Sequence, residues 1–186
     1  MAILSPHPGY ATLLDYWLHD SDAAVTDAVD EHLMACDACG HRLDEIAALG
    51  DAVRAAFRAG TVAAVTSRPF LEQLAAEGLK LRIYRLPANA SVNCTVAPDD
   101  DLLVSRLQVN AAGVTRIDLL AELTTEPGVQ RRLEDIPFDP DSGEVVVVEN
   151  IVRVRARPVS TMQVTLLAME QGGPRELGRY TFHHRP

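Results

Sequence analysis

The residues best equipped for chemistry are His32, Cys36 and Cys39. His32 and Cys36 are four apart, so on one helix they share a face, with Cβ atoms about 6 Å apart. Cys36 and Cys39 are three apart, and a tight turn can aim both sulfurs at one centre. One imidazole and two thiols are donors of a structural zinc site, which takes four ligands in a tetrahedron. The fourth must come from elsewhere. His7, His19 and His41 are the candidates, and His7, 25 residues before His32, has the favoured spacing. His19 could instead close the first helix, where a partly charged imidazole meets the dipole. His41 lies one turn into the next helix, where water reaches it. Two other chemistries fit less well. A thioredoxin-like pair needs a preceding strand, and c-type haem attachment needs Cys-x-x-Cys-His, whereas Gly40 stands before His41. Buried small residues are the plain alternative for a Cys-x2-Cys pair; His32 in register favours the metal.

His7 followed by Glu31-His32-Leu33 and then Cys36 and Cys39 resembles the zinc-binding anti-sigma factors of bacteria. These carry an upstream His or Cys, about two helices of chain, then His-x3-Cys-x2-Cys. The resemblance covers about residues 5–80. It implies a zinc site of His7, His32, Cys36 and Cys39. It also implies an extracytoplasmic-function-type sigma factor as partner, gripped by a fourth helix carrying Phe70, Leu71 and Leu74. Where family members usually have Gly between the first two helices, this chain has Trp17-Leu18-His19-Asp20-Ser21.

The elements that must position these ligands follow from periodicity. Tyr10, Leu13, Leu14 and Trp17 make an amphipathic first helix opened by Pro6-His7-Pro8. Ser21 or Asp22 caps a second helix with Val25, Val29 and Leu33 on its apolar face. A third starts near Asp37, runs through Leu43, Ile46, Leu49, Val53 and Phe57, and stops at Gly60. Three such helices bury little core unaided, so a metal staple is physically reasonable. Residues 61–68 read as a connector, followed by a short helix from Pro69 stopped by Gly78. Its apolar side fits either a partner or the domain that follows.

From Leu79 the period changes to 2. Strands are predicted over 79–86, 91–96, 102–109, 114–123, 129–133, 145–149, 151–157, 161–169 and 175–183, divided by turn signals such as Asn110-Ala111-Ala112-Gly113 and Gln171-Gly172-Gly173-Pro174. The fold class is therefore α+β. A zinc-stapled helical bundle (1–60) and a connector with a fourth helix (61–78) lead to an antiparallel β-sandwich or barrel-like domain (79–186).

Composition bounds the function. Residues 1–78 carry 4 Arg and no Lys against 12 acidic residues, net −8; residues 79–186 are at net −1, of −9 in all. The acidic half repels nucleic acid and suits a basic protein partner. No apolar run is long enough for a membrane span, and the start lacks the basic and apolar regions of a secretory signal. Three cysteines, two in a metal motif, form no disulfide framework, so a cytoplasmic setting is expected. In the β half no nucleophile–base constellation stands out. Asp139-x-Asp141-x-Gly143 reads as a hairpin turn rather than a calcium loop, and Arg153, Arg155 and Arg157 as a solvated strand face. His183 and His184 are adjacent and point to opposite faces, and Cys94 is a small core residue. A metal-binding cupin is excluded by the lack of His-x-His followed by Glu. The expected function is sigma-factor sequestration by a non-enzyme, with the β-domain as signal receiver. The alternative is a zinc-containing structural or small-molecule-binding protein that dimerises through its helices. Metal-assisted hydrolysis would need an open coordination position.

Overall fold

The computed structural model describes residues 7–185. The chain divides into two compact units, Met1–Ala55 and Ala56–Pro186.

The first unit holds α1 (Tyr10–Trp17), α2 (Ala23–Leu33) and most of α3 (Asp37–Arg58). Gly9 is the N-cap of α1, so His7 and Pro8 precede the helix rather than open it. Asp22 caps α2, its carboxylate accepting from the Val25 amide at 2.9 Å. Leu13, Val29 and Ile46, one from each helix, are buried together, with Leu14, Tyr16, Trp17, Val25 and Leu33 packed around them. Tyr16 ties α1 to α2 by donating its hydroxyl to Asp30 at 2.6 Å. Trp17 lies on Gly50, where a Cβ would stand 2.2 Å from the ring.

Two details depart from the sequence reading. The apolar stripe of α3 is not covered throughout: Ile46 is buried, but Leu49 and Val53 are 57% and 44% exposed. Lengths explain this, because α3 runs about 33 Å while α1 and α2 reach only about 12 and 16 Å. The turn after α1 needs a left-handed residue, and His19 supplies it at φ 60°. Asp20 N–H donates to the Asp15 carbonyl and His19 N–H to that of Tyr16, which closes the helix by the Schellman pattern usual for glycine.

In the second unit β1 (Ala64–Thr66), α4 (Arg68–Ala76), β2 (Leu81–Leu86), β3 (Ser91–Cys94), β4 (Leu102–Gln108), β5 (Ile117–Leu123), β6 (Gln130–Leu133), β7 (Glu144–Glu149), α5 (Ile151–Ala156), β8 (Ser160–Glu170) and β9 (Gly173–His184) follow in order. They make two sheets, β1-β7-β4-β2 and β3-β9-β8-β5-β6. The open sheets pack as a sandwich around Leu86, Leu107, Val145, Ile117, Val164, Leu166, Tyr180 and Phe182. Alternate residues of β4 and β7 serve the other face of the first sheet. There Leu102, Val104, Val146 and Val148 pack with Phe57, Leu71 and Leu74. The segment read as a connector, 61–68, thus contributes a strand, and the fourth helix expected after it packs on this sheet.

The expectation of an antiparallel sandwich holds for most pairs, but β2–β4 and β3–β9 run parallel. β2 and β4 are joined through β3, which belongs to the opposite sheet, so the chain returns in the same direction without a crossover helix. Residues 151–157, read as a strand, form α5 instead. Asn150 caps it by accepting from the Arg153 amide at 2.9 Å, and the buried pair Ile151 and Val154 is spaced for a helix. The alternating arginines are therefore no strand face. Arg155 reaches the carbonyls of Ala97, Pro98 and Asp100.

Candidate metal centre

The local structure that gathers the ligands begins with Cys36. Its carbonyl accepts from the amides of Cys39 and Gly40, both at 3.1 Å, which makes Cys36 the residue that opens α3 and places Cys39 in the first turn. His32 sits in the last turn of α2, four residues before Cys36. His7 approaches from the segment before α1. Its Nδ1 lies 3.4 Å from Cys36 Sγ and 3.4 Å from Cys39 Sγ. The rings of His7 and His32 meet edge to face, 5.6 Å between centroids at 88°. One donor atom from each of the four residues lies within 4.8 Å of every other, so the group can hold a metal ion. No other set of three or more His, Cys, Asp or Glu residues among the described residues does so.

Burial grades across the centre. Cys39 is fully buried, His32 and Cys36 are partly so, and His7 is exposed. His32 Nε2 is buried without a hydrogen-bond partner among the described residues. An orphaned buried nitrogen costs about 1–3 kcal/mol, and coordination to an ion removes that penalty. Burial pushes the Cys39 thiol above its ordinary range, and the facing Cys36 thiol adds to the shift. Arg42 works the other way. Two thiolates side by side need a positive charge between them, and a divalent ion both supplies it and deprotonates them. The donor set thus fits a metal on its unsatisfied nitrogen, its spacing and its charge balance.

All four sequence-predicted ligands come together. His19 and His41 are exposed on the turn and on α3, and neither joins the group. Phe70, Leu71 and Leu74, expected to grip a partner, lie on the sheet side of α4. Leu71 and Leu74 are 3% and 0% exposed, and Phe70 is half-buried against Phe57 with ring centroids 5.1 Å apart. Ser67 caps α4 and fixes the phase that turns this apolar side inward. The large apolar side chains that the helical unit does expose are Tyr10, Leu18, Met34, Leu49 and Val53, with Met34 at 90%. Periodicity put Leu49 and Val53 on the apolar stripe of the third helix, but it reports a helix face, not the length of the helices available to cover it.

No helix among the described residues is long and apolar enough to cross a membrane.

A scan against protein-family profiles finds no match, and a search of curated proteins finds none. Among solved structures, the N-terminal domain of phage TP901-1 ORF48 aligns over 57% of this chain and 97% of its own length, at 13% identity and a TM-score of 0.35.

Proposed function

We propose that this chain is a zinc-binding anti-sigma factor whose helical unit sequesters an extracytoplasmic-function-type sigma factor and blocks its binding to RNA polymerase. The observation that carries the reading is the convergence of His7, His32, Cys36 and Cys39 in the order His…His-x3-Cys-x2-Cys. Zinc is the ion that this donor set suits. With Zn–S of about 2.3 Å and Zn–N of about 2.0–2.1 Å, tetrahedral geometry gives an S···N edge of about 3.6 Å. The two edges from His7 Nδ1 are 3.4 Å each. Four protein ligands close the shell, which favours a structural over a catalytic metal and a binding module over an enzyme.

The remaining features support a protein partner rather than nucleic acid or a membrane. Net charge of −8 over residues 1–78 would steer a basic partner. Leu49 and Val53, one turn apart on α3, and Met34 in the turn before it offer apolar contact. Engagement of Leu71 and Leu74 would require α4 to leave its sheet, so the exposed residues are what a partner meets first.

The test is to mix the zinc-loaded full chain with the extracytoplasmic-function-type sigma factors of its own genome and with core RNA polymerase. A one-to-one complex with sigma that excludes core polymerase is the expected result. The same exposed residues would serve self-association. A homodimer that ignores sigma would replace this reading with a zinc-stapled dimerisation module.

A further inference from the structure

A cavity of ≈ 20 Å³ lies inside the β-unit, lined by Tyr84, Cys94, Ser105, Glu149, Arg157 and His184 together with apolar neighbours. Register explains the polar lining. Cys94 on β3 and Ser160 on β8 both stand opposite His184 on β9, so the three side chains form a row on one face. That face is turned inward: Cys94, Ser160 and His184 are 6%, 6% and 3% exposed. Adjacent His183 points the other way and contacts Thr161 Oγ1 at 3.2 Å. Neither ring nitrogen of His184 has a hydrogen-bond partner among the described residues, and Ser160 Oγ has none either. Against this row stand Glu149 from β7, Arg157 after α5, Ser105 from β4 and Tyr84 from β2. The Tyr84 hydroxyl is already engaged by the backbone of Thr95.

Size decides what can act here. A space of ≈ 20 Å³ admits about one water and no organic ligand. A metal ion is disfavoured because the Arg157 guanidinium faces the same space, and Cys94, Glu149 and His184 do not gather as the four ligands of the helical unit do. A proton remains.

α5 forms one wall through Val154 and packs by Ile151 and Val154 on Leu103. Its start holds the chain that leaves α3. Asn150 Nδ2 donates to the Thr61 carbonyl at 2.5 Å and Val152 N–H to that of Gly60 at 3.5 Å. A Cβ on Gly60 would stand 2.4 Å from Ile151 Cγ2.

We propose that this cavity is a proton-operated latch: protonation of His184 places a second positive charge beside Arg157, unseats α5 and releases Gly60 and Thr61 at the exit of α3. Burial, then Arg157, holds the imidazole below its ordinary range; the carbonyls of Arg157 and Val154 lie near the ring outside hydrogen-bond geometry and oppose this only in part. The sign follows. A base whose folded-state pKa is lowered keeps the seat closed above about pH 6.5, and closure weakens below that by about tenfold per pH unit until the folded state itself titrates. Cys94, pushed up by burial, stays neutral over this range. Glu149 is pushed up by burial and works with the opposite sign, since its protonated form suits the closed cavity.

The inference deepens the anti-sigma reading by naming a trigger. It is measured without any partner, so the two can fail separately. Hydrogen–deuterium exchange on the zinc-loaded full chain, corrected for intrinsic rates, is compared at pH 7.5 and 5.5. Protection at residues 60–61 and 150–157 should fall at pH 5.5, by up to about tenfold, while the centres of β4 and β8 hold. His184→Gln should abolish the change and Glu149→Gln should enlarge it. Unchanged protection in the native chain, or the same loss in His184→Gln, overturns the proposal. Should His184→Gln not fold, the imidazole resonances of the native chain serve instead: titration of His184 at or above the ordinary histidine value also overturns it.

Discussion

Removing the metal should unfold the helical unit and leave the sandwich standing. The closed core of the first unit consists of Leu13, Val29 and Ile46. At about 1.5–3 kcal/mol for each fully buried aliphatic side chain, those three supply roughly 5–9 kcal/mol before any entropy is counted. Structural zinc contributes about 10–16 kcal/mol to folding in small zinc peptides. An ion held there would therefore outweigh the core it staples, with no reserve left once it is removed. The second unit buries thirteen residues in its main cluster, and none of them is one of the four ligands. The assay is titration with a chelator followed by zinc release, far-ultraviolet ellipticity and the emission of Trp17, the only tryptophan. Helical signal should drop in step with zinc release, Trp17 emission should shift to the red, and exchange protection in β4, β7 and β8 should stay. Cys36→Ala should reproduce the chelated state. Stoichiometric zinc release with unchanged ellipticity and emission would show that the ion decorates the helices rather than holding them. Protein purified without chelator and free of zinc would refute the reasoning one step earlier.

His19→Gly should stabilise the helical unit by about 1 kcal/mol in thermal unfolding, because it relieves a left-handed L-residue that makes no cap with its side chain; a loss would reveal a side-chain role. Gly50→Ala should lower stability and alter Trp17 emission, although alanine favours helices by about 1 kcal/mol, since the new methyl falls inside the indole; a gain would mean the ring moves aside freely. Asp118, fully buried, accepts from Arg116, Arg132 and the Asp135 amide. Burial raises its pKa, but these partners prevail and lower it to about 2. Its contribution is thus complete above about pH 4 and lost as pH falls through about 2. Asp118→Asn should destabilise the sandwich at neutral pH, and denaturant midpoints of the two chains should converge between pH 4 and 2.

How much of this was legible in the sequence depended on how local each signal was. His32, Cys36 and Cys39 lie within one helix end and turn, so spacing alone placed them, and the cap at Asp22 was equally local. His7 needed the family resemblance as well as spacing. The switch to period 2 located the strands, because half-buried sheet alternates. It failed at 151–157, where Val152, Val154 and Ala156 alternate with arginines while Ile151 and Val154 repeat at helical spacing; only the cap at Asn150 separates the two patterns. The use of Phe70, Leu71 and Leu74 was illegible for another reason. An apolar helix side shows that something covers it, and not whether the cover is a partner or the chain's own sheet. The row of Cys94, Ser160 and His184 depends on the register of β3, β9 and β8, which no short window contains.

The parallel pairing of β3 with β9 also bears on how the chain is made. β3 finds its partner only in the end of β9, which is synthesised about 90 residues later. At about 5–20 residues per second that is a wait of roughly 5–18 s during translation. The helical unit has no such delay, for its ligands and core residues fall between His7 and Ile46. An ion could bind there and close the unit while the sandwich is still incomplete. Cys94, buried in the finished protein, lacks the β9 strand that covers it until then, so any oxidation of this thiol would fall on the nascent chain rather than on the mature one.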